Sequence, residues 1–151
     1  MGGRVGLSFI YGGIKMLELT NTAAQTIAVG QTVTFDNVIF NSKCNKNEFF
    51  RLGTGSVQVV PGTYKVSFGA NVSGATAGTP VQLNIAYNDS PLPETTMIST
   101  PSAADALNSV YRDTILQVPC LTGSGTFKVT NTGTTDITIG ANPTLTVVRR
   151  G

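Results

Sequence analysis

The sequence predicts an antiparallel all-β sandwich, and three observations carry that prediction. Residues 62–75 and 79–97 alternate apolar and polar side chains. In the first stretch Tyr64, Val66, Phe68, Ala70 and Val72 share one parity, with Thr63, Lys65, Ser67, Asn71 and Ser73 on the other. In the second, Val81, Leu83, Ile85 and Tyr87 alternate with Gln82, Asn84, Ala86 and Asn88. A period of two lines one face of a pleated strand, the pattern of a half-buried sheet. Only 12% of residues are charged, about half the usual share, so Thr, Asn, Ser and Gly supply the polarity. β-Branched Thr suits a strand's solvent face, and Gly and Asn suit turns. Finally, no stretch shows the period of an amphipathic helix, while turn signals recur roughly every ten residues.

The elements follow in order. Residues 17–19 and 24–29 read as short strands that end at Gly30. In 32–41, Val33 and Phe35 lie on one parity and Val38 and Phe40 on the other, so a bulge or kink is expected around Asp36-Asn37. A polar loop, 42–48, precedes strands 49–52 and 56–60, which Gly53-Thr54-Gly55 separates as a turn. The two alternating strands come next, joined through 74–78. Asn88-Asp89-Ser90 then turns the chain into a strand over 92–99. Residues 101–108 have helical composition but are too few to count for more than a turn or loop. Strands at 110–118, 126–130, 136–139 and 144–148 bring the expected total to about ten, with tight turns at 131–133 and 140–143. Many short strands in this arrangement make a sandwich or jelly roll.

At 151 residues one domain is the natural count, and it can bury roughly 70% of its unfolded surface without a metal or disulfide framework. The net charge of +2 comes from scattered residues, and neither nucleic acid nor an anionic membrane is expected as a partner. Cys44 and Cys120 lie far apart; a disulfide is possible, and two isolated thiols are the simpler reading.

Chemistry is nearly missing from the composition. The chain has no histidine, which removes the usual general base, the common nucleophile pairs and the commonest transition-metal ligand. Two distant cysteines do not make a zinc site. Gly53-Thr54-Gly55 and Gly123-Ser124-Gly125 lack the lysine and helix of a phosphate loop and read as hairpin glycines. The eight carboxylates form no pair in sequence, and the chain has no Trp to platform a sugar. Asn71-Val72-Ser73 and Asn88-Asp89-Ser90 match the glycosylation sequon by composition. Asp136 beside Thr134 and Thr135 reads as a turn aspartate rather than a calcium ligand, and Arg149-Arg150 as solvated charges ending a strand. No catalytic residue, cofactor or metal is therefore expected.

Residues 1–16 form an arm ahead of a domain spanning 17–151. Its apolar patch holds Val5, Leu7, Phe9, Ile10 and Tyr11 and has no obvious place in the sandwich core. The patch is too short for a secretory signal and far below the ~20 residues that span a bilayer. Two readings stand open: an anchoring interaction site, or an expression or start-site artefact, since Met16 would itself serve as a start.

Three stretches together resemble the jelly roll shared by tumour necrosis factor, complement-type globular heads and the C-terminal domains of bacterial collagen-like spore glycoproteins. Residues 61–68 (PGTYKVSF) are similar to the family's central Gly-x-Tyr-x-Val/Phe-x-Phe strand. Residues 81–93 resemble the strand and hairpin that follow, and 127–149 the closing strands. The resemblance implies a ten-stranded jelly roll that packs as a homotrimer and carries no catalytic residues. No collagen repeat is present, which sets this chain apart from stalk-borne members. Stand-alone chains of this kind resemble small phage and prophage structural proteins. On that resemblance the expected role is a trimeric virion component, made in a bacterial host cytoplasm, that serves as a capsid decoration, fibre head or baseplate module. The arm would bind capsid or other virion proteins. The alternative is an adhesin of a cell or spore surface that recognises glycan or receptor through 42–48 and 100–108.

Overall fold

The computed structural model describes residues 15–42 and 49–151. In chain order its strands are β1 (Met16–Thr20), β2 (Gln25–Ile27), β3 (Asn37–Asn41), β4 (Phe49–Leu52), β5 (Ser56–Val59), β6 (Gly62–Ser73) and β7 (Val81–Tyr87). After these come β8 (Ser90–Pro91), β9 (Met97–Ser99), β10 (Asn108–Val118), β11 (Gly125–Asn131), β12 (Ile137–Ile139) and β13 (Thr144–Arg149). The described strands number thirteen rather than about ten, because several are only two or three residues long.

All pairings within the named strands are antiparallel, in a seven-stranded and a six-stranded sheet. The first sheet is built around β6. One edge of β6 takes β13 and then β12; the other takes β10 along its whole length, from Gly62↔Val118 to Val72↔Asn108. β1 joins β13, β3 joins β1 and short β2 joins β12, so β10 forms one rim and β3, with β2 beyond β12, the other. The second sheet runs β4-β5-β11-β7, with β8 and β9 both on the free edge of β7.

The alternation seen in the sequence decides which face is buried. Tyr64, Val66 and Phe68 of β6 and Leu145 and Val147 of β13 point inward against Leu83 and Ile85 of β7 and Phe127 and Val129 of β11. Edge-on ring contacts tie the layers together: Tyr64 meets Phe127 at 6.3 Å and Phe35 meets Phe68 at 6.4 Å between centroids. The Tyr64 hydroxyl donates to the Val60 carbonyl at 2.6 Å, so its burial leaves no polar atom unpaired.

Three expectations are corrected. Residues 92–99 are not one strand: a 3-10 turn, Pro93–Thr95, interrupts them and only Met97–Ser99 is strand. Pro91 and Pro93 lack the amide hydrogens a ladder needs, and Pro93 stands where a short helix tolerates it. Gly123-Ser124-Gly125 is not a hairpin turn, because β10 and β11 lie in different sheets and the segment carries the chain between them. Gly125 is required for packing: a Cβ there would sit 2.7 Å from the Tyr87 ring. The phase change at Asp36-Asn37 is also a sheet crossing. Val33 donates to Val129 in the second sheet, whereas β3 pairs with β1 in the first. A bulge follows, where Ile39 is left over between Glu18↔Phe40 and Leu19↔Val38.

The molecule has two distinct ends. At the base, β1 starts beside the end of β13, with the Arg149 amide donating to the Lys15 carbonyl at 2.7 Å. At the tip, loops meet through Asp105 N–H to the Gly74 carbonyl at 3.0 Å and Asn142 N–H to the Asn21 carbonyl at 2.8 Å. Among the described residues no helix is long and apolar enough to cross a membrane.

A candidate self-association face

Because β6 sends one parity into the core, its other parity, Lys65, Ser67, Gly69 and Asn71, faces away from the second sheet. Thr144, Thr146 and Val148 of β13 and Glu18 of β1 share that outer face by register. Its middle is polar and internally bonded. Thr146 Oγ1 donates to Glu18 at 3.2 Å, and Ser109 Oγ donates to Asn71 at 2.7 Å. A shallow groove of about 490 Å³ runs here, lined by Glu18, Ser67, Asn71, Tyr111, Thr144 and Thr146 among others.

The rims are different. On β10, Tyr111 and Ile115 project from the outer face and are 59% and 62% exposed, although Val118 of the same strand is buried. Tyr111 stands directly opposite Gly69, and its ring fills the space a side chain would occupy: a Cβ on Gly69 would lie 3.2 Å from it. Its hydroxyl donates to Asp113 at 3.4 Å, and Asp113 pairs with Lys65 at 3.5 Å. The ring therefore lies over Gly69 at the rim, with its hydroxyl tethered to Asp113. Next to it, β9 adds exposed Ile98, with Arg112 Nε donating to the Thr96 carbonyl at 3.3 Å to hold the two edges together. On the far rim, Phe40 faces outward opposite Glu18, and the bulge leaves Ile39 exposed beside it.

The layout of this face constrains how a second copy could seat on it. Two apolar ribbons lie on opposite rims of one sheet, with a polar trough between them. A β10 rim that seats against the β3 side of the next copy makes a head-to-tail contact, which closes into a ring when the rotation permits. Exposed apolar ribbons of this kind are candidates for an interaction surface.

Of the residues singled out in the sequence, Asn71 lines this groove. Val5, Leu7, Phe9, Ile10 and Tyr11 lie outside the described residues, as do Cys44 and most of the 42–48 loop. Cys120 is a free, exposed thiol in the 3-10 turn Cys120–Thr122. Asn88-Asp89 forms the two-residue turn between β7 and β8, both residues having positive φ. In the other sequon Val72 and Ser73 are buried in β6. Asp136 lies on a loop at the tip, and among the described residues no three His, Cys, Asp or Glu side chains gather to hold a metal. Several carboxylates take separate partners: Asp36 accepts from Thr22, Glu94 from Thr114, and Asp89 pairs with Lys128 at 2.6 Å. The rim residues were missed in the sequence, though a signal existed. In 110–118, Tyr111 and Ile115 are apolar on the parity opposite Val110, Leu116 and Val118.

No family model matches the chain, and no curated sequence is significantly similar to it. Solved structures do match in fold. The Eiger TNF structure from S. frugiperda superposes with a TM-score of 0.69 at 14% identity, covering 92% of this chain and 94% of that one. The globular domain of zebrafish complement 1qA gives 0.61 at 14% identity, with 87% and 94% covered. Murine APRIL at pH 5.0 gives 0.61 at 14% identity, with 91% and 99% covered. The fold is thus the jelly roll common to tumour necrosis factor and complement-type globular heads, as the sequence motifs led one to expect.

Proposed function

We propose that the chain is a non-enzymatic module that assembles as a closed homotrimer and serves as a structural component of a phage virion, as a capsid decoration, fibre head or baseplate part. The observation that carries the self-association is the pair of apolar rims, Tyr111 and Ile115 on β10 against Ile39 and Phe40 on β3. Removing a side chain of this size from water stabilises by about 1.5–3 kcal/mol, and each closed ring buries three such contacts. The trimer, rather than another ring, and the virion setting rest on the family resemblance of residues 61–68, 81–93 and 127–149. The arm, with Val5, Leu7, Phe9, Ile10 and Tyr11, supplies the anchor, repeated in each protomer and therefore multivalent.

Light scattering on the purified chain is the direct test. A mass near three times 15.7 kDa is expected, and a monomer at micromolar concentration would overturn the assembly. For the anchor, a chain lacking residues 1–15 should stay folded and trimeric yet fail to join particles. Normal incorporation of that truncated chain would remove the arm from the account.

A further inference from the structure

The tip holds a concavity apart from the self-association face. β6 leaves the first sheet through residues 74–80 to become β7 of the second, and β11 returns to the first as β12 through 132–136. These two crossings border a concavity of about 220 Å³, lined by Gly74, Ala75, Thr76, Thr79, Thr135 and Asp136. Both walls are braced by other segments. Gly78 N–H donates to the Pro101 carbonyl at 2.8 Å, and Asp105 N–H to the Gly74 carbonyl at 3.0 Å. On the other wall, buried Asn131 donates to the Thr135 carbonyl at 3.0 Å and accepts from Gly133 N–H at 2.9 Å. The lining side chains are not engaged in this way. The Asp136 carboxylate and the hydroxyls of Thr76, Thr79 and Thr135 make no hydrogen bond or ion pair among the described residues.

We infer that this concavity binds one neutral sugar unit through a pair of adjacent hydroxyls, with Asp136 as the principal acceptor. The inference rests on the proposed structural role and adds to it what the free end of the module recognises. A carboxylate can accept from two neighbouring hydroxyls at once, and threonine hydroxyls both donate and accept, so the lining matches a polyol. The loops at 74–80, 100–107 and 132–136 contain no lysine or arginine, and Asp105 and Asp136 are their only charges. An acidic sugar or a phosphate is therefore repelled. The same loops carry no aromatic side chain, so hydrogen bonds rather than ring stacking hold the ligand, and a single site is weak. The volume lies below the ~300–1,000 Å³ of sites for drug-sized ligands, which limits the occupant to one ring. Because both walls are braced beforehand, little ordering is lost on binding. A ring closed through the apolar rims would present a copy of the site on every protomer, so a sugar-bearing surface would be held multivalently.

The test uses the full chain, isotope-labelled for NMR, titrated into the millimolar range with methyl α-glucoside, methyl α-mannoside and methyl β-galactoside in turn. Saturating amide shifts with at least one of them are expected over residues 74–79 and 133–136, and not at Lys65 or Tyr111. Asp136→Asn should weaken that binding roughly tenfold, and Thr76→Val several-fold. Asp89→Asn, the same charge change in the turn between β7 and β8, should leave binding unchanged. Equal solution masses and thermal midpoints for the variants and the parent exclude misfolding as the cause. No saturable shift with any of these sugars, equal loss from Asp89→Asn, or tighter binding of N-acetylneuraminic acid would each overturn the inference. So would shifts of the same amides that calcium chloride produces and the sugars do not, which would assign the concavity to a cation. Sugar binding is read per chain, so a monomeric mass would sink the trimer without deciding the site.

Discussion

Several side chains finish the ladders that the backbone leaves open. The Gln25 amide faces the backbone of Thr34, accepting from its N–H and donating to its carbonyl, each at 3.0 Å. It replaces a missing strand and thereby holds Val33 and Phe35, both fully buried, in the core. Thr95 does the same at the break between β8 and β9: its hydroxyl accepts from Ile85 N–H at 2.9 Å and donates to the Leu92 carbonyl at 2.7 Å. Buried Asn131 donates to the carbonyls of Ile27 and Thr135 and accepts from Gly133, closing the turn after β11. Losing a partner strands these backbone groups away from water, which costs more than the bond itself contributes. Gln25→Ala is therefore expected to destabilise by about 2 kcal/mol, measured by urea unfolding, with Asn131→Ala costing about 2–4 kcal/mol. At Asn88 the positive φ and the bond from Thr126 N–H to its side chain at 2.9 Å act together. Asn88→Ala should cost about 1–2 kcal/mol, while Asn88→Gly, which keeps the backbone preference, should cost less. Equal losses from the two variants would assign the effect to the hydrogen bond alone.

Among the elements, legibility followed the number of faces a strand has to satisfy. β6 and β11 bury one parity and expose or half-bury the other, so alternation alone located them. β7 looked equally regular, yet Asn84 and Ala86 on its supposed solvent face are buried beneath the turn that follows. Asn84 bonds to the Leu92 carbonyl at 2.8 Å and to Thr96 at 2.9 Å, contacts between segments whose meeting no periodicity announces. The rims were illegible for a related reason. A sequence can show that a strand is apolar on both parities, but not that it stands at the edge of a sheet, where the second apolar face lacks a cover. β10 has that position. Exposed sheet edges ordinarily carry charge or proline against unwanted pairing, and Tyr111 and Ile115 depart from that practice. Tyr111→Glu together with Ile115→Glu should give a folded monomer, visible as a threefold drop in mass by light scattering with the β-sheet circular dichroism retained. Persistence of the parental mass would move the interface off this rim.

For the whole molecule, a single aromatic-containing core joins two sheets, and among the described residues no α-helix covers either outer face. Both outer faces therefore meet solvent in the described chain, and the Tyr111/Ile115 and Ile39/Phe40 rims lie on the first sheet. Phe68, fully buried and in contact with Phe35, sits near the middle of that core. Phe68→Ala should cost about 3–5 kcal/mol in thermal or urea unfolding, enough to unfold a marginal sandwich. A loss under 1 kcal/mol would mean that the two layers are not packed as described. The pairing of β1 with β13 has a further, mechanical consequence. β1 runs from Met16 opposite Val148 to Thr20 opposite Thr144, and the arm joins it at the base. Tension between the arm and the tip pulls β1 along its own axis, so its ladder bonds to β13 and β3 share the load and must shear together. Tension between the arm and Gly151, both at the base, would instead unzip the same strands one pair at a time. A module held by its arm and loaded from the tip is thus a strong fastener in one direction and a weak one in the other.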